Sequence, residues 1–199
     1  MLRERKENMS IKKYTAEILN ELTENLNYVD DGALDEMAEE ILSAKHIFTA
    51  GAGRSGVAMK AFTNRLMHLG LSVSSVGEIT SPHTQEGALL LIGSGSGETE
   101  SLAAMARKAK KNGVKIGLIT MDKDSTIAKL ADTVVVMPGV SPKLTHAERG
   151  GMENITSIQP MGSAFEQLCF LTYDGMVLEL MERMGETSDT MFARHADLE

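Results

Sequence analysis

Five short apolar runs, separated by longer segments, constrain the fold of this chain more than any other feature. The runs are "HIFTA" from His46, "SVSSV" from Ser72, "ALLLI" from Ala88, "KIGLIT" from Lys115 and "TVVVM" from Thr133. In the segments around them, apolar residues recur every three or four positions, which is the period of an amphipathic helix. Strands that alternate with helices predict an α/β fold, with a parallel sheet covered by helices. We expect a three-layer αβα sandwich of five parallel strands in the order 2-1-3-4-5.

The same alternation fits a single domain, because 199 residues are enough to bury a core and no boundary stands out along the chain. We expect a flexible N-terminus, N-terminal helices, the sheet core, a surface loop, a C-terminal helix and a C-terminal tail. The predicted bounds are 1–10 for the flexible N-terminus, 11–45 for the N-terminal helices and 46–140 for the sheet core. They are 141–158 for the loop, 159–185 for the C-terminal helix and 186–199 for the tail.

Two helices carry apolar stripes that we expect to be buried. The stripe of the first helix consists of Ile11, Tyr14, Ile18, Leu22, Leu26 and Val29. The stripe of the last helix consists of Met161, Phe165, Leu168, Cys169, Thr172 and Met176. Because Cys169 is the single cysteine and lies inside this stripe, we expect a small buried hydrophobe and assign it no chemistry.

Charge and hydropathy narrow the classes of partner. The chain has 28 acidic and 20 basic residues, a net charge of -8, which disfavours nucleic acid because that ligand needs a basic face. No stretch approaches the ~20 apolar residues of a membrane helix, and "MLRERKENMS" lacks the apolar core of a signal peptide. We therefore expect a cytoplasmic protein that binds neither nucleic acid nor membranes, and that holds any anionic ligand with local donors.

Glycine-rich segments follow the first and third strands. The first, "GAGRSG" from Gly51, has the G-x-G-x-x-G spacing, and the second is "GSGSGETES" from Gly93. Strands one and three are neighbours in the predicted order, so both loops line one crevice. Each loop leads into a helix N-terminus that can hold an anion, and its hydroxyls suit a phosphate monoester. With the two nearest arginines included, the candidate binding residues are Gly53, Arg54, Ser55, Arg65, Ser94, Gly95, Ser96 and Thr99.

Two other interpretations of the glycine loops stay open. Dinucleotide-binding proteins share the G-x-G-x-x-G spacing, and Glu78 ends the second strand about where a ribose-binding carboxylate would lie. The dinucleotide interpretation leaves little room for a catalytic domain and gives the second loop no function. Glycines that only form tight turns explain one such loop but poorly explain two. Glu98 and Glu100 would repel a phosphate, so we expect both carboxylates to point away from it.

At these loops, and along nearly the whole chain from Tyr14, the sequence resembles the sugar isomerase (SIS) domain family. The motifs that carry the resemblance are "GAGRSG", "RLMHLG", "VGE", "GSGSGETES", "DSTIAKLAD", "IQPMGSAFEQ" and "MFARHADLE". The segments "GEITSP" and "GVSPKLTHAERGGMEN" depart from the pattern or lie where relatives differ.

Within the family, the resemblance is to ketose–ketose isomerases, and it implies interconversion of D-arabino-hex-3-ulose 6-phosphate and fructose 6-phosphate. It further implies a homotetramer that needs no metal or other cofactor. The implied physiological setting is the ribulose monophosphate pathway of formaldehyde fixation or detoxification, coupled to a 3-hexulose-6-phosphate synthase.

The implied reaction moves a carbonyl between C3 and C2 through a 2,3-enediol, so it needs a base for the carbon-bound proton and a donor for the oxygens. Glu166 is the candidate base, because it lies one turn into the last helix beside Phe165 and Leu168, where it is partly shielded from water. The resemblance supports this choice, since the family motif "QPMGSxFEQ" carries a catalytic carboxylate at that position. An ordinary surface glutamate is the alternative.

Two of the five histidines are candidates for proton transfer to oxygen, because imidazole titrates near neutrality. His195 lies in the tail motif, and the resemblance suggests that it docks at a site, either its own or a neighbouring subunit's. It is also the candidate acid for opening the ring of fructose 6-phosphate. His68 follows Arg65 by one helical turn, so the two side chains share a helix face. A structural, hydrogen-bonded role is the alternative for each histidine.

Two functions from other classes stay open. One is a phosphosugar-binding regulatory module without catalysis, against which the presence of Glu166 and His195 argues. The other is a dinucleotide-dependent oxidoreductase. The acids and histidines do not fall at metal-ligand spacings such as H-E-x-x-H, so we predict no metal site.

Overall fold

The computed structural model describes residues 10–142 and 155–198. Its elements, in chain order, are α1 (Ile11–Leu26), α2 (Asp31–Ser43), β1 (His46–Gly51), α3 (Gly53–His68), β2 (Val73–Ser75), β3 (Ala88–Gly93), α4 (Glu100–Lys111), β4 (Lys115–Thr120), β5 (Thr133–Val136), α5 (Ser163–Met184) and α6 (Ser188–Phe192). The flexible terminus predicted at 1–10 and the loop predicted at 141–158 lie largely outside the described residues.

The five strands form one sheet in which every neighbouring pair is parallel, in the order β2-β1-β3-β4-β5. The predicted sheet and strand order are therefore confirmed. Every residue of the central strand β3 is buried, because helices and turns cover both faces of the sheet. In this register Gly51, the last residue of β1, pairs with Gly93, the last residue of β3.

Alternation along the strands builds a separate core on each face of the sheet. Ile47 and Leu91 belong to the core beneath α2, α3 and α5, whereas Phe48 and Leu90 belong to the core beneath α4. Successive strand residues point to opposite faces, so β1 and β3 each contribute to both cores. The sheet is thus held rigidly between two apolar layers, and its carboxyl edge is a fixed platform for loops.

The two predicted apolar stripes behave differently. On α5 the stripe is buried as expected, apart from Met161, and Cys169 is a buried residue within it. On α1 the expectation was wrong for a single chain, because Leu22 alone of the six stripe residues is buried and Ile11 is 86 % exposed. The period correctly predicted a helix and its apolar face, but only part of that face, around Ile18 and Leu22, packs against the core.

The C-terminal tail is ordered against the rest of the domain. It contains α6, whose first turn is closed by reciprocal hydrogen bonds between Thr187 and Thr190, a capping box. No helix in the described part of the chain is long and apolar enough to cross a membrane.

Candidate active site

The two glycine-rich loops meet at the carboxyl edge of the sheet. Because Gly51 and Gly93 are paired in adjacent strands, the loop into α3 and the loop into α4 begin side by side. A Cβ on Gly93 would lie 3.8 Å from the carbonyl oxygen of Ser55, so the first turn of α3 lies against the end of β3. The predicted convergence of the loops is confirmed, at the switch point of the strand order.

The first loop packs too closely for side chains on its outer glycines. A Cβ on Gly51 would lie 2.8 Å from the Cα of Gly56, and a Cβ on Gly56 would lie 2.8 Å from the Gly51 carbonyl oxygen. These two glycines therefore serve helix–strand packing. Gly53, Arg54 and Ser55 form the first turn of α3, and its N-cap residue Ala52 provides no side-chain hydrogen bond. The N–H groups of that turn are thus available to an anion.

The second loop contains a buried hydroxyl without a partner. Ser94 is 3 % exposed, and its Oγ makes no hydrogen bond within the described structure. The backbone around it is held firmly, since the Ser94 N–H donates to Ile119 and the Gly95 carbonyl accepts from Met121. A buried polar atom without a partner is costly, and such atoms in native structures call for a ligand or a water. The hydroxyl of Thr99, the N-cap residue of α4, also makes no capping hydrogen bond.

The carboxylate of Glu98 is engaged outside the loop. Its Oε1 accepts a hydrogen bond of 2.6 Å from the backbone N–H of Thr126, while its own N–H donates to Ser96 Oγ. The Glu98 carboxylate therefore binds the segment after β4. This agrees with the expectation that it points away from the phosphate position. Glu100 is exposed on the first turn of α4.

Glu166 and Arg54 form an ion pair beside the first loop. Glu166 lies in the first turn of α5, and its Oε2 accepts a hydrogen bond of 2.5 Å from Nε of Arg54. The carboxylate side chain is 20 % exposed and the arginine side chain 66 % exposed. Phe165, the preceding residue, would lie 3.3 Å from a Cβ on Gly95, which places the start of α5 against the second loop as well. Both loops and one carboxylate therefore share a single neighbourhood.

The turn that precedes α5 contains features that sequence reasoning missed. Met161 has a φ of 49°, a left-handed conformation that non-glycine residues seldom adopt and that often marks functional sites. Buried side-chain atoms of Gln159 and Gln167 have no hydrogen-bond partner among the described residues. A signal was available, because all three residues lie in or beside the motif "IQPMGSAFEQ".

His68 and His195 come together at a different place. Their rings stack with centroids 5.3 Å apart and an interplanar angle of 22°, and with Arg65 they line a cavity of about 390 Å³. Burial, the charge of Arg65 and the neighbouring His195 together lower the pKa of His68 below its ordinary value of 6.5. The His68 imidazole is therefore neutral near pH 7.

Within one chain, the histidine pair is distant from the glycine loops. His68 ends α3 and Gly53 begins it, so at 1.5 Å per residue the helix separates them by about 22 Å. Arg65 lies one turn from His68 and is at the same far end. The structure thus groups Gly53, Arg54, Ser55, Ser94, Gly95, Ser96, Thr99 and Glu166 in one region, and Arg65, His68 and His195 in another.

The described residues contain no group of three or more histidine, cysteine or acidic side chains that could hold a metal ion. Cys169 is fully buried, and burial raises the pKa of its thiol, which keeps it protonated. The reactive and binding groups near the two loops are therefore one carboxylate, one guanidinium, several hydroxyls and two helix N-termini.

This arrangement defines a doubly wound α/β protein with a candidate anion-binding site at its switch point. The model of the SIS domain family matches residues 40–170, and the chain belongs to that family. A relative from Bacillus subtilis named 3-hexulose-6-phosphate isomerase is 48% identical over 191 residues, which cover 96% of this chain and 100% of the relative. A Mycobacterium gastri relative of the same name is 35% identical, over 90% of this chain and 92% of its own.

Solved structures support the assignment. A Methanococcus jannaschii protein, whose crystal structure led to an inferred function of 3-hexulose-6-phosphate isomerase, matches with a TM-score of 0.76 and 28% identity. The match covers 94% of this chain and 99% of that one.

Proposed function

We propose that this protein is a 3-hexulose-6-phosphate isomerase, which interconverts D-arabino-hex-3-ulose 6-phosphate and fructose 6-phosphate. The observation that carries the proposal is identity of 48% to the Bacillus subtilis isomerase over the whole length of that relative. The site is compatible with this reaction, because it combines anion-binding loops with a carboxylate within reach of them.

The phosphate group of the sugar is assigned to the two loops. The first turn of α3 and the start of α4 direct N–H groups to one crevice, and the helix dipoles favour a negative charge there. The hydroxyls of Ser55, Ser94, Ser96 and Thr99 supply further donors. Ser94 carries the most weight, because its buried hydroxyl has no partner within the described structure and would gain one when the ligand binds.

Glu166 is assigned the role of general base. It takes the proton from C2 of the 3-ketose to form a 2,3-enediol and returns a proton to C3, so one carboxylate serves both carbon atoms in turn. Arg54 orients the carboxylate through their ion pair, and it is positioned to offset the negative charge that develops on the enediol oxygens. Neither step requires a metal ion or another cofactor.

The proton transfers to and from the sugar oxygens are assigned to His195, whose ring is supported by stacking on the ring of His68. Because about 22 Å of α3 separates this pair from the loops of its own chain, the histidines act at the site of a second subunit. That assignment requires a homo-oligomer, and the tetramer implied by the family resemblance provides one. The exposed apolar surface of α1 and α5 is the surface that such an assembly would cover.

The physiological setting follows from the substrate. A 3-ketose phosphate arises from an aldol addition of formaldehyde to a pentulose phosphate, so we place the protein next to a 3-hexulose-6-phosphate synthase in the ribulose monophosphate pathway. In that setting it is a cytoplasmic enzyme of formaldehyde fixation or detoxification.

Proton NMR in D2O tests the reaction directly. The purified protein is incubated with fructose 6-phosphate in the presence of EDTA and without nicotinamide cofactor. We expect deuterium at C3 together with appearance of the 3-ketose. Exchange at C1 alone would indicate an aldose–ketose isomerase, and binding without exchange would indicate a regulatory phosphosugar-binding module. Either result would overturn the proposed function.

A further inference from the structure

A single guanidinium group ties the C-terminal tail to the end of α3. Arg194 donates two parallel hydrogen bonds to Glu186, from Nη1 to Oε2 and from Nη2 to Oε1, each 2.9 Å long. Nη1 also donates to the backbone carbonyl of His68 at 2.9 Å. Hydrogen bonds from Arg194 and Thr190 lower the pKa of Glu186 to about 2, so the carboxylate is ionised under ordinary conditions. Bidentate arginine–carboxylate pairs fix geometry as well as add energy.

The end of α3 is shaped to receive this group. The carbonyl of His68 is one of the last carbonyls of the helix, which have no partner within it. Gly70 follows with a φ of 84°, and a Cβ there would lie 3.2 Å from Cζ of Arg194. A side chain at position 70 would thus press on the guanidinium. The positive charge of Arg194 also complements the negative end of the helix dipole.

Consecutive residues of the tail hold the same residue of α3. Arg194 binds the backbone of His68, while the ring of His195 stacks on the ring of His68. The backbone N–H of His195 donates to Phe192, which continues the turn that ends α6. The charged and titratable side chains around this pair in the cavity are Arg65 and Asp174.

We propose that Arg194 is a positioning residue, which fixes the imidazole of His195 in one orientation by clamping the tail to Glu186 and to the His68 carbonyl. This inference rests on the proposed function, in which His195 transfers a proton. Arg194 itself contacts no reacting atom in this scheme, because both of its terminal nitrogens bind Glu186.

Kinetics of Arg194→Gln, Arg194→Lys and Glu186→Gln test the clamp. We expect Arg194→Gln to lower kcat for the isomerisation by about 10-fold with KM changed by less than about 2-fold, because a misplaced proton donor slows the chemical step. Arg194→Lys keeps the charge but loses the fork, so we expect an intermediate kcat. The matched control is Arg183→Gln, since Arg183 also binds several carboxylates, on α2 and α5, and none of its ion pairs among the described residues involves the tail.

Histidine titration by NMR separates positioning from a general loss of stability. When the tail is released, the His68 ring becomes more exposed, so its pKa should rise toward 6.5 in Arg194→Gln and stay unchanged in Arg183→Gln. Wild-type kcat or wild-type His68 titration in Arg194→Gln would overturn the proposal. If His195→Gln kept full activity, the role of His195 would fail and the proposal with it. An inactive wild-type protein would instead refute the proposed function itself.

Discussion

The ion pair between Glu166 and Arg54 is the residue-scale feature from which the chemistry starts. It joins the first turn of α5 to the first turn of α3, so a carboxylate and a cation lie at the mouth of two helix N-termini. An isolated pair that is this exposed contributes little to stability. We therefore expect its role to be in the proposed catalysis and not in stability.

Replacement of Glu166 by glutamine should abolish turnover without abolishing binding. We expect Glu166→Gln to lower kcat by at least ~100-fold, the usual contribution of a general base, while fructose 6-phosphate still protects the protein against thermal unfolding. Glu182→Gln, on the exposed last turn of α5, is the matched control. Near-normal kcat in Glu166→Gln would remove Glu166 from this role.

Replacement of Ser94 should affect the ligand and not the fold. Because the Ser94 hydroxyl is buried without a partner, we expect Ser94→Ala to leave the thermal midpoint of the free protein unchanged or slightly raised. A hydrogen bond to a charged phosphate is lost, so the Kd for fructose 6-phosphate should rise about 10-fold or more. Combination with Ser96→Ala should add to the effect, and Ser101→Ala on the exposed side of α4 is the control. An unchanged Kd would place the phosphate elsewhere.

At the scale of elements, much of the fold was predictable from the sequence. The short length and apolar character of the five runs identified the strands, and the glycines after β1 and β3 identified their loops. Such signals are local, since each depends on a few consecutive residues. The burial of α1 was predicted wrongly, because an amphipathic pattern shows that a face is apolar and not which surface covers it.

The docking of the tail on α3 should make stability depend on pH. The pKa of His68 is lowered in the folded state, so the unfolded chain binds more protons below about pH 6.5. We expect the His68 contribution to the free energy of unfolding to be complete above that pH. It should be lost as the solution is acidified through the lower, folded-state pKa.

Urea denaturation between pH 5 and 7.5 measures this dependence. In His68→Gln the slope should be shallower but still present, because burial lowers the pKa of His46 as well. The double variant His46→Gln with His68→Gln should flatten it further. An identical slope in wild type and His68→Gln would show that the buried ring does not control acid stability.

At the scale of the whole molecule, an uncovered apolar surface runs along α1 and α5. Its exposed residues include Ile11, Tyr14, Leu19, Leu26, Phe170, Leu171 and Leu178. A cavity of about 480 Å³ between α1, α3 and α5 continues this surface to Arg54 and Glu166. Patches of this kind mark interaction sites, and this one reaches the proposed catalytic carboxylate.

A shared site can be tested by mixing two inactive variants. Glu166→Gln and His195→Gln are each expected to be inactive as pure proteins. If a site takes Glu166 from one subunit and His195 from another, co-refolded mixtures should regain about a quarter of wild-type activity, because random assembly pairs the two intact residues in that fraction of sites. Each variant refolded alone is the control.

Sedimentation velocity on the same samples would report the assembly. If the wild-type protein regains activity after refolding but the mixture does not, then Glu166 of one subunit and His195 of another do not form a shared site. Leu171→Asp should lower both the sedimentation coefficient and kcat, whereas Lys129→Asp, outside α1 and α5, should change neither.

Local sequence patterns were enough to predict the fold class, the strand order and the meeting of the two glycine-rich loops. They were enough because short apolar runs, the helix period and glycine-rich turns are properties of nearby residues, and right-handed crossovers leave few ways to arrange them. Which distant residues contact each other was visible only in the tertiary structure. Arg54 and Glu166 are 112 residues apart in the chain, and Arg194 reaches the end of α3 across 126 residues. Such pairings depend on how whole helices pack, which no local pattern encodes.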